Sequence, residues 1–74
     1  MKQYTFNANN EIYIRLKNDE VLSVHRMFHK RARKTEYFLM MESFNDAPKY
    51  LVREVSNISA INAVANTYGI NVIA

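Results

Sequence analysis

Apolar and polar residues alternate along the first two-thirds of the chain, and this period of two is the feature that most restricts the fold. The clearest case is residues 11–17, where Ile12, Ile14 and Leu16 occupy every second position. Successive side chains of a β-strand point to opposite faces, so such alternation is typical of a strand with one buried and one solvent-facing side. The sequence therefore predicts a sheet that is covered on one face.

Short polar segments divide the chain into several strands of this kind. Asn-rich residues 7–10 and the Asn-Asp-Glu segment at 18–20 are predicted turns, because Asn and Asp tolerate left-handed backbone angles. A further break is expected at residues 45–48. The predicted strands are residues 3–6, 11–17, 21–28, 35–44 and 49–55, with a short last strand at 70–74.

A three-residue loop at 18–20 would set the register of the hairpin that it closes. It pairs Ile14 with Val24, and it pairs residues 17 with 21, 16 with 22, and 13 with 25. The apolar side chains then share one face, and a slip by one residue would scatter them. The opposite face carries polar, basic and aromatic side chains: Tyr13, Arg15, Lys17, Ser23 and His25.

The strand at residues 35–44 is apolar on both sides. Its side chains fall into two alternating sets, which are Tyr37, Leu39 and Met41 on one side and Phe38, Met40 and Phe44 on the other. A strand of this composition is expected to be covered on both faces. We expect the helix to cover one side, and a second subunit or a ligand to cover the other.

A helix is predicted over residues 56–68. Ile61, Val64, Ala65 and Tyr68 form one stripe at helical spacing, and Gly69 follows as a stop signal. An alternative helix would begin at residues 46–48, with Asp as the cap and Pro in the first turn, but the β-branched residues that follow disfavour it. The N-cap candidates for the favoured helix are Ser56, Asn57 and Ser59.

These elements predict one α+β domain spanning residues 1–74, with a small antiparallel sheet of four or five strands and one C-terminal helix packed on one face. A chain this short buries only about 60% of the surface that its unfolded form exposes. Cysteine is absent, so neither disulfides nor thiolate metal sites add stability. A homodimer is therefore expected. A cytoplasmic location is also expected, without membrane attachment, because the N-terminal residues lack the apolar run of a signal peptide.

The charge is distributed unevenly. Five of the ten Lys and Arg residues lie in positions 25–34, which contain no acidic residue, whereas the other five are outnumbered by seven carboxylates. A mildly acidic body with one basic segment indicates a localised anion site. The same charges would also suit a solvated hairpin tip.

RNA or single-stranded DNA is the expected partner. Cations would hold phosphates, and aromatic rings on a sheet face would stack on bases, as in other single-strand binders. No cofactor is expected. The predicted phosphate contacts are Arg15, Lys17, His25, Arg26, Lys30, Arg31, Arg33 and Lys34. The predicted stacking residues are Tyr13 and Phe28.

Two other functions fit the sequence less well. A metal-independent ribonuclease would use His25 with Tyr13, Arg15, Arg26 and Glu36, but no motif supports it. In its Asn-rich, cysteine-free, basic composition the chain resembles small bacteriophage accessory proteins, which implies an inhibitor that docks on a host protein such as a toxin or defence factor.

His25 and His29 could together contribute to a metal site, but zinc needs three or four ligands, so no metal site is predicted.

Overall fold

The computed structural model describes residues 1–43 and 46–74 and confirms the α+β class. The helix α1 spans Ile58–Ala65 and continues as a 3₁₀ turn at Asn66–Tyr68, and a second 3₁₀ turn spans Lys17–Asp19. The strands are β1 (Lys2–Thr5), β2 (Glu11–Arg15), β3 (Glu20–His29), β4 (Lys34–Ser43), β5 (Asp46–Val55) and β6 (Ile70–Ile73).

The strands form two separate sheets. The larger is antiparallel and four-stranded, as predicted, and has the order β2-β3-β4-β5, whereas β1 and β6 form a two-stranded parallel sheet. The parallel pair joins Lys2 to Ile70 and Thr5 to Ile73. A parallel pair needs a long connection, and here the whole antiparallel sheet and the helix lie within it. The sequence predicted both strands but not their pairing.

The predicted register of the β2–β3 hairpin is wrong by two residues. Ile14 pairs with Leu22 rather than with Val24. The loop has three residues, as expected, but it lies one position earlier, at Lys17–Asp19, and is closed by a 2.7 Å hydrogen bond from Leu16 N to Glu20 O. The last residue of such a loop adopts a left-handed conformation, and Asp19 does so with φ of 59°. Asp tolerates this conformation better than the glutamate that the predicted loop required.

A shift of two residues does not move any strand residue to the other face. The two faces of the hairpin are therefore as predicted, with differences at two residues. Lys17 lies in the loop and not in the strand. Ser23 is only 1% exposed, although it was expected on the open polar side. It sits between Tyr13 and Met40, its partners on the neighbouring strands. Its hydroxyl has no hydrogen-bond partner among the described residues.

The break predicted at residues 45–48 and the alternative helix are both wrong where the structure describes them. Strand β5 already begins at Asp46 and contains Pro48, while Phe44 and Asn45 lie outside the described residues. Proline is tolerated here because β5 is an edge strand, whose outward N–H groups are not needed for pairing. The β4–β5 register is interrupted by bulges, and Glu54 has a positive φ of 50°.

The helix begins two residues later than predicted. Asn57 is its N-cap, because the Asn57 Oδ1 accepts a 2.8 Å hydrogen bond from the Ser59 backbone N–H. Gly69 ends it in the left-handed conformation, with φ of 74°. Of the predicted stripe, Ile61 and Ala65 are buried, but Tyr68 is exposed.

The core lies between one face of the antiparallel sheet and a layer made by α1 and the parallel pair. Leu22, Val24, Leu39 and Ile61 are completely buried. Full burial of such side chains contributes about 1.5–3 kcal/mol each. The remaining buried apolar side chains are Ile12, Ile14, Tyr37, Met41, Ala65, Ile70 and Val72.

Strands β3 and β4 extend past their neighbours. The pairing of β2 with β3 ends at His25, and the pairing of β5 with β4 ends at Tyr37. Residues 26–36 therefore form a two-stranded ribbon with a turn at 30–33, and we call this ribbon the arm. The basic segment of the sequence lies in the arm.

Candidate nucleic-acid interface

The tip of the arm presents three exposed cations. Lys30, Arg31 and Arg33 all lie in the turn, and Arg33 closes it with a left-handed φ of 50°. Within the described part of the chain, no ion pair or hydrogen bond involves their side chains. Their charges are therefore available to an anion in solution.

The other two cations of the basic segment are engaged within the protein. Arg26 is half-buried, with its guanidinium 4.4 Å above the centre of the Phe6 ring, and its Nε donates a 2.9 Å hydrogen bond to Asn10 Oδ1. Lys34 Nζ lies 3.3 Å from Glu36 Oε1. The structure thus separates three available cations from two whose charged groups already have partners within the protein.

Phe28 lies on the arm, on the same side as Arg26. Its ring is 60% exposed, and it lines a shallow pocket of about 140 Å³ together with Asn10, Arg26, Thr35 and Tyr37. An exposed phenylalanine between cations and hydrogen-bonding groups is suited to stacking on a planar ring. The structure thus places Phe28, one of the two predicted stacking residues, next to the cationic tip.

Tyr13 lies elsewhere, on the face of the antiparallel sheet opposite the helix, which we call the open face. Its ring makes a T-shaped contact with His25 at 5.8 Å, although the directly paired residue is Ser23. His25 in turn pairs with Phe38 on the next strand. The two predicted stacking residues therefore point to opposite sides of the sheet.

The open face also contains an apolar groove of about 310 Å³. It is lined by His25, Met27, Phe38, Met40 and Tyr50. Tyr50 is 55% exposed and carries the guanidinium of Arg53 at 4.8 Å from its ring centre. The strand β4 is thus covered by the helix layer on one side only, and its second apolar side lines this groove. Tyr50 and Arg53 were missed because bulges in β5 obscure its alternation.

Carboxylates accompany the rings on the open face. Glu11 Oε1 lies 3.6 Å from His25 Nδ1, and Glu36 Oε1 lies 3.3 Å from His29 Nε2. Arg26 points to the opposite side. The cluster expected of a ribonuclease is therefore divided: His25 has Tyr13 and Glu11 beside it, whereas Glu36 contacts the other histidine.

Arg15 and Lys17 are far from the arm tip. They lie beside the start of β3, whereas the tip follows its end, and ten residues of extended strand separate the two ends by about 30 Å. The structure does not bring these residues into one track with the arm. It instead places them beside a second groove with Lys2, Tyr4 and Tyr68. No local sequence pattern reveals this groove, because it exists only through the pairing of β1 with β6.

Among residues 1–43 and 46–74, no three side chains of the metal-binding types are grouped to hold an ion. None of the described helices has the length and apolar character needed to span a bilayer. Comparisons with protein-family models, curated proteins and solved structures find no match.

Proposed function

We propose that this chain binds single-stranded nucleic acid, RNA or single-stranded DNA, with the arm. The observation that supports this most directly is the position of Lys30, Arg31 and Arg33, which are exposed at the end of a ribbon that extends past the sheet. Cations in this arrangement neutralise phosphates and release the counterions condensed on the strand. The gain in affinity is electrostatic and independent of base sequence.

The exposed ring of Phe28 on one side of the arm favours binding of a single strand over binding of a duplex. An unpaired base has an accessible π-face, and stacking on an aromatic side chain contributes about 1–3 kcal/mol per base. Arg26 is fixed beside Phe28 by Asn10 and Phe6. A base can stack on Phe28 while the neighbouring phosphates meet the tip.

The test is a salt titration of the affinity for a short single-stranded RNA and for DNA of the same sequence. The variant K30Q/R31Q/R33Q removes the three cations of the tip. The slope of log K against log salt should fall in magnitude by about 2, since each phosphate contact on a single strand contributes about 0.7. Fluorescence anisotropy with labelled oligonucleotides measures this slope.

The matched control is a comparison of two double variants with equal loss of charge. R31Q/R33Q removes two cations from the tip, and K49Q/R53Q removes two from the edge strand β5. We expect the first to lose affinity and the second to behave nearly as the wild type. Equal effects would show that only net charge matters, and an unchanged slope in K30Q/R31Q/R33Q would refute the assignment. Stronger binding to a duplex than to either single strand would overturn the choice of substrate.

A protein partner is the second candidate, and the open face is the observation that favours it. Exposed Met27 and Tyr50 border an apolar groove that has carboxylates nearby, which suits a protein surface better than a phosphate backbone. An inhibitor that docks on a host protein would use this face. Capture from nuclease-treated lysate by the wild type, with loss in M27S/Y50S but not in K30Q/R31Q/R33Q, would support it.

A further inference from the structure

A second groove lies between the two sheets, at the end of the molecule away from the arm tip. It has a volume of about 430 Å³. One wall comes from β1 and the segment after the helix, which a 3.1 Å hydrogen bond from Lys2 N to Gly69 O holds together. The other wall comes from the end of β2 and its loop, closed by the hydrogen bond between Leu16 and Glu20. Both walls are thus fixed by backbone contacts.

The chemistry of the groove combines two cations with two phenol rings. Lys2 and Lys17 line it, whereas Glu20 is its one carboxylate among the described residues. Arg15 borders the groove at the end of β2, but its side chain alternates to the open face. The rings are those of Tyr4 and Tyr68, and Lys2 Nζ lies 6.0 Å from the centre of the Tyr4 ring. The apolar lining comes from Ile14, Leu16 and Ile70.

A groove of this size and lining matches small-molecule sites, which span about 300–1,000 Å³ and place a few polar groups around apolar walls. The excess of positive charge selects an anion. A simple anion such as inorganic phosphate would leave the rings and the apolar lining unused. A ligand that uses the whole groove carries both a phosphate and a planar aromatic ring.

We infer that this groove binds a nucleotide. The phosphate meets Lys2 and Lys17, the base lies against Tyr4 and Tyr68, and the Glu20 carboxylate accepts a hydrogen bond from a ribose hydroxyl or an exocyclic amino group. Such a ligand can be a free nucleotide or the phosphorylated end of a strand. The site is independent of the arm, because about 30 Å of β3 lies between them.

The test uses the full chain, labelled with ¹⁵N, and follows backbone amide shifts by NMR. Gly69 lines the groove and is the one glycine of the sequence, so its signal is easily assigned. Adenosine, guanosine, cytidine and uridine monophosphates, inorganic phosphate, unphosphorylated nucleosides and a 5′-phosphorylated oligonucleotide are titrated in separate samples. We expect saturable shifts at Gly69, Leu16 and Lys17 with a nucleotide, and weaker binding of both the phosphate and the nucleosides.

Two variants test the residues. K2Q/K17Q should weaken nucleotide binding by about tenfold or more, because two charge-assisted contacts are lost. Y68L should weaken the binding of a nucleotide but not that of inorganic phosphate. K30Q/R31Q, at the arm tip, is the matched control and should keep the affinity for a mononucleotide.

The two sources of the ligand give different results. Saturation by a mononucleotide assigns a free nucleotide, whereas saturation by the phosphorylated oligonucleotide alone assigns the end of a strand. The inference is overturned if neither shifts Gly69 saturably, if phosphate binds as tightly as every nucleotide, or if K2Q/K17Q binds like the wild type.

Discussion

The arm and the body of this protein are built from the same two strands but differ in what surrounds them. In the body, β3 and β4 lie at the centre of the sheet, and Leu22, Val24 and Leu39 are completely buried. In the arm no further strand pairs with them, and Met27 and Phe28, on opposite sides of the ribbon, are 54% and 60% exposed. Stability thus comes mainly from the inner half of each strand, and the outer half contributes little to the core.

This division predicts that substitutions in the two regions affect different measurements. Changes in the body should lower the free energy of unfolding. Changes in the arm should leave stability nearly constant and, if the arm binds nucleic acid as proposed, should alter that affinity. The four substitutions below are ordered by their expected effect on the free energy of unfolding.

Leu39→Ala should have the largest effect. Leu39 is 0% exposed at the centre of β4, and removal of a buried leucine side chain leaves a cavity that costs about 2–5 kcal/mol. Urea unfolding followed by circular dichroism measures the loss. Leu51→Ala, at a site 38% exposed on β5, is the control and should change stability by no more than about 0.5 kcal/mol. Similar losses in both variants would show that the sheet has no distinct buried centre.

Asn62→Ala should come second. The Asn62 side chain donates from Nδ2 to Val72 O at 2.8 Å, and its Oδ1 accepts from Val72 N at 2.7 Å. Its removal leaves two partly buried backbone groups without partners, at a cost of about 1–3 kcal/mol. Thermal unfolding gives the size of the effect. Asn66→Ala, exposed at the end of the same helix, should have little effect. Equal shifts for the two variants would contradict this role.

Asn57→Ala should cost about 1 kcal/mol, the usual value for loss of an N-cap. The measurement is again the midpoint of chemical unfolding. Asn57→Ser should restore most of the stability, because serine also caps well. Ser56→Ala, one residue earlier, should be nearly neutral. If Ser56→Ala is the more damaging change, the helix begins before the position seen in the structure.

Phe28→Ala should have the smallest effect on stability, no more than about 0.5 kcal/mol, because the ring is mostly exposed. If the arm binds a single strand as proposed, the same variant should lose about 1–3 kcal/mol of affinity through lost stacking. Met27→Ala, on the opposite side of the arm, is the matched control. A large loss of stability would make Phe28 part of the core, and equal losses of affinity in both variants would remove the preference for one side.

Much of the fold could be predicted because alternation is a local property. Ile12 and Ile14 mark the buried face of β2 whatever their partners are, and Gly69 marks the end of the helix. The register was missed because it depends on which loop residue adopts a positive φ, and Asp19 differs from Glu20 in this respect by a small energy. The pairing of β1 with β6 was missed because no local pattern identifies partners so distant in sequence.

The site could be predicted less completely than the fold. The charges at 30–33 were found because exposed turn residues keep their charges available. Arg26 was not recognised as engaged, because its partner Asn10 becomes a neighbour only through the fold. The Lys34–Glu36 contact is local, since residues two apart share one face of a strand, and alternation alone could have indicated it. A charge count gives the cations present in a segment, and only the fold gives those available to a ligand.

The parallel pairing of β1 with β6 has a consequence for the order of folding. Pairing Lys2 with Ile70 closes a loop of nearly the whole chain, and the entropy cost of closing it exceeds that of the β3–β4 turn by about 2–3 kcal/mol. Hairpins of the larger sheet can form from local contacts first. The small sheet is therefore expected to form last and to open first, so that its amide protons exchange with solvent deuterium before those of β3 and β4.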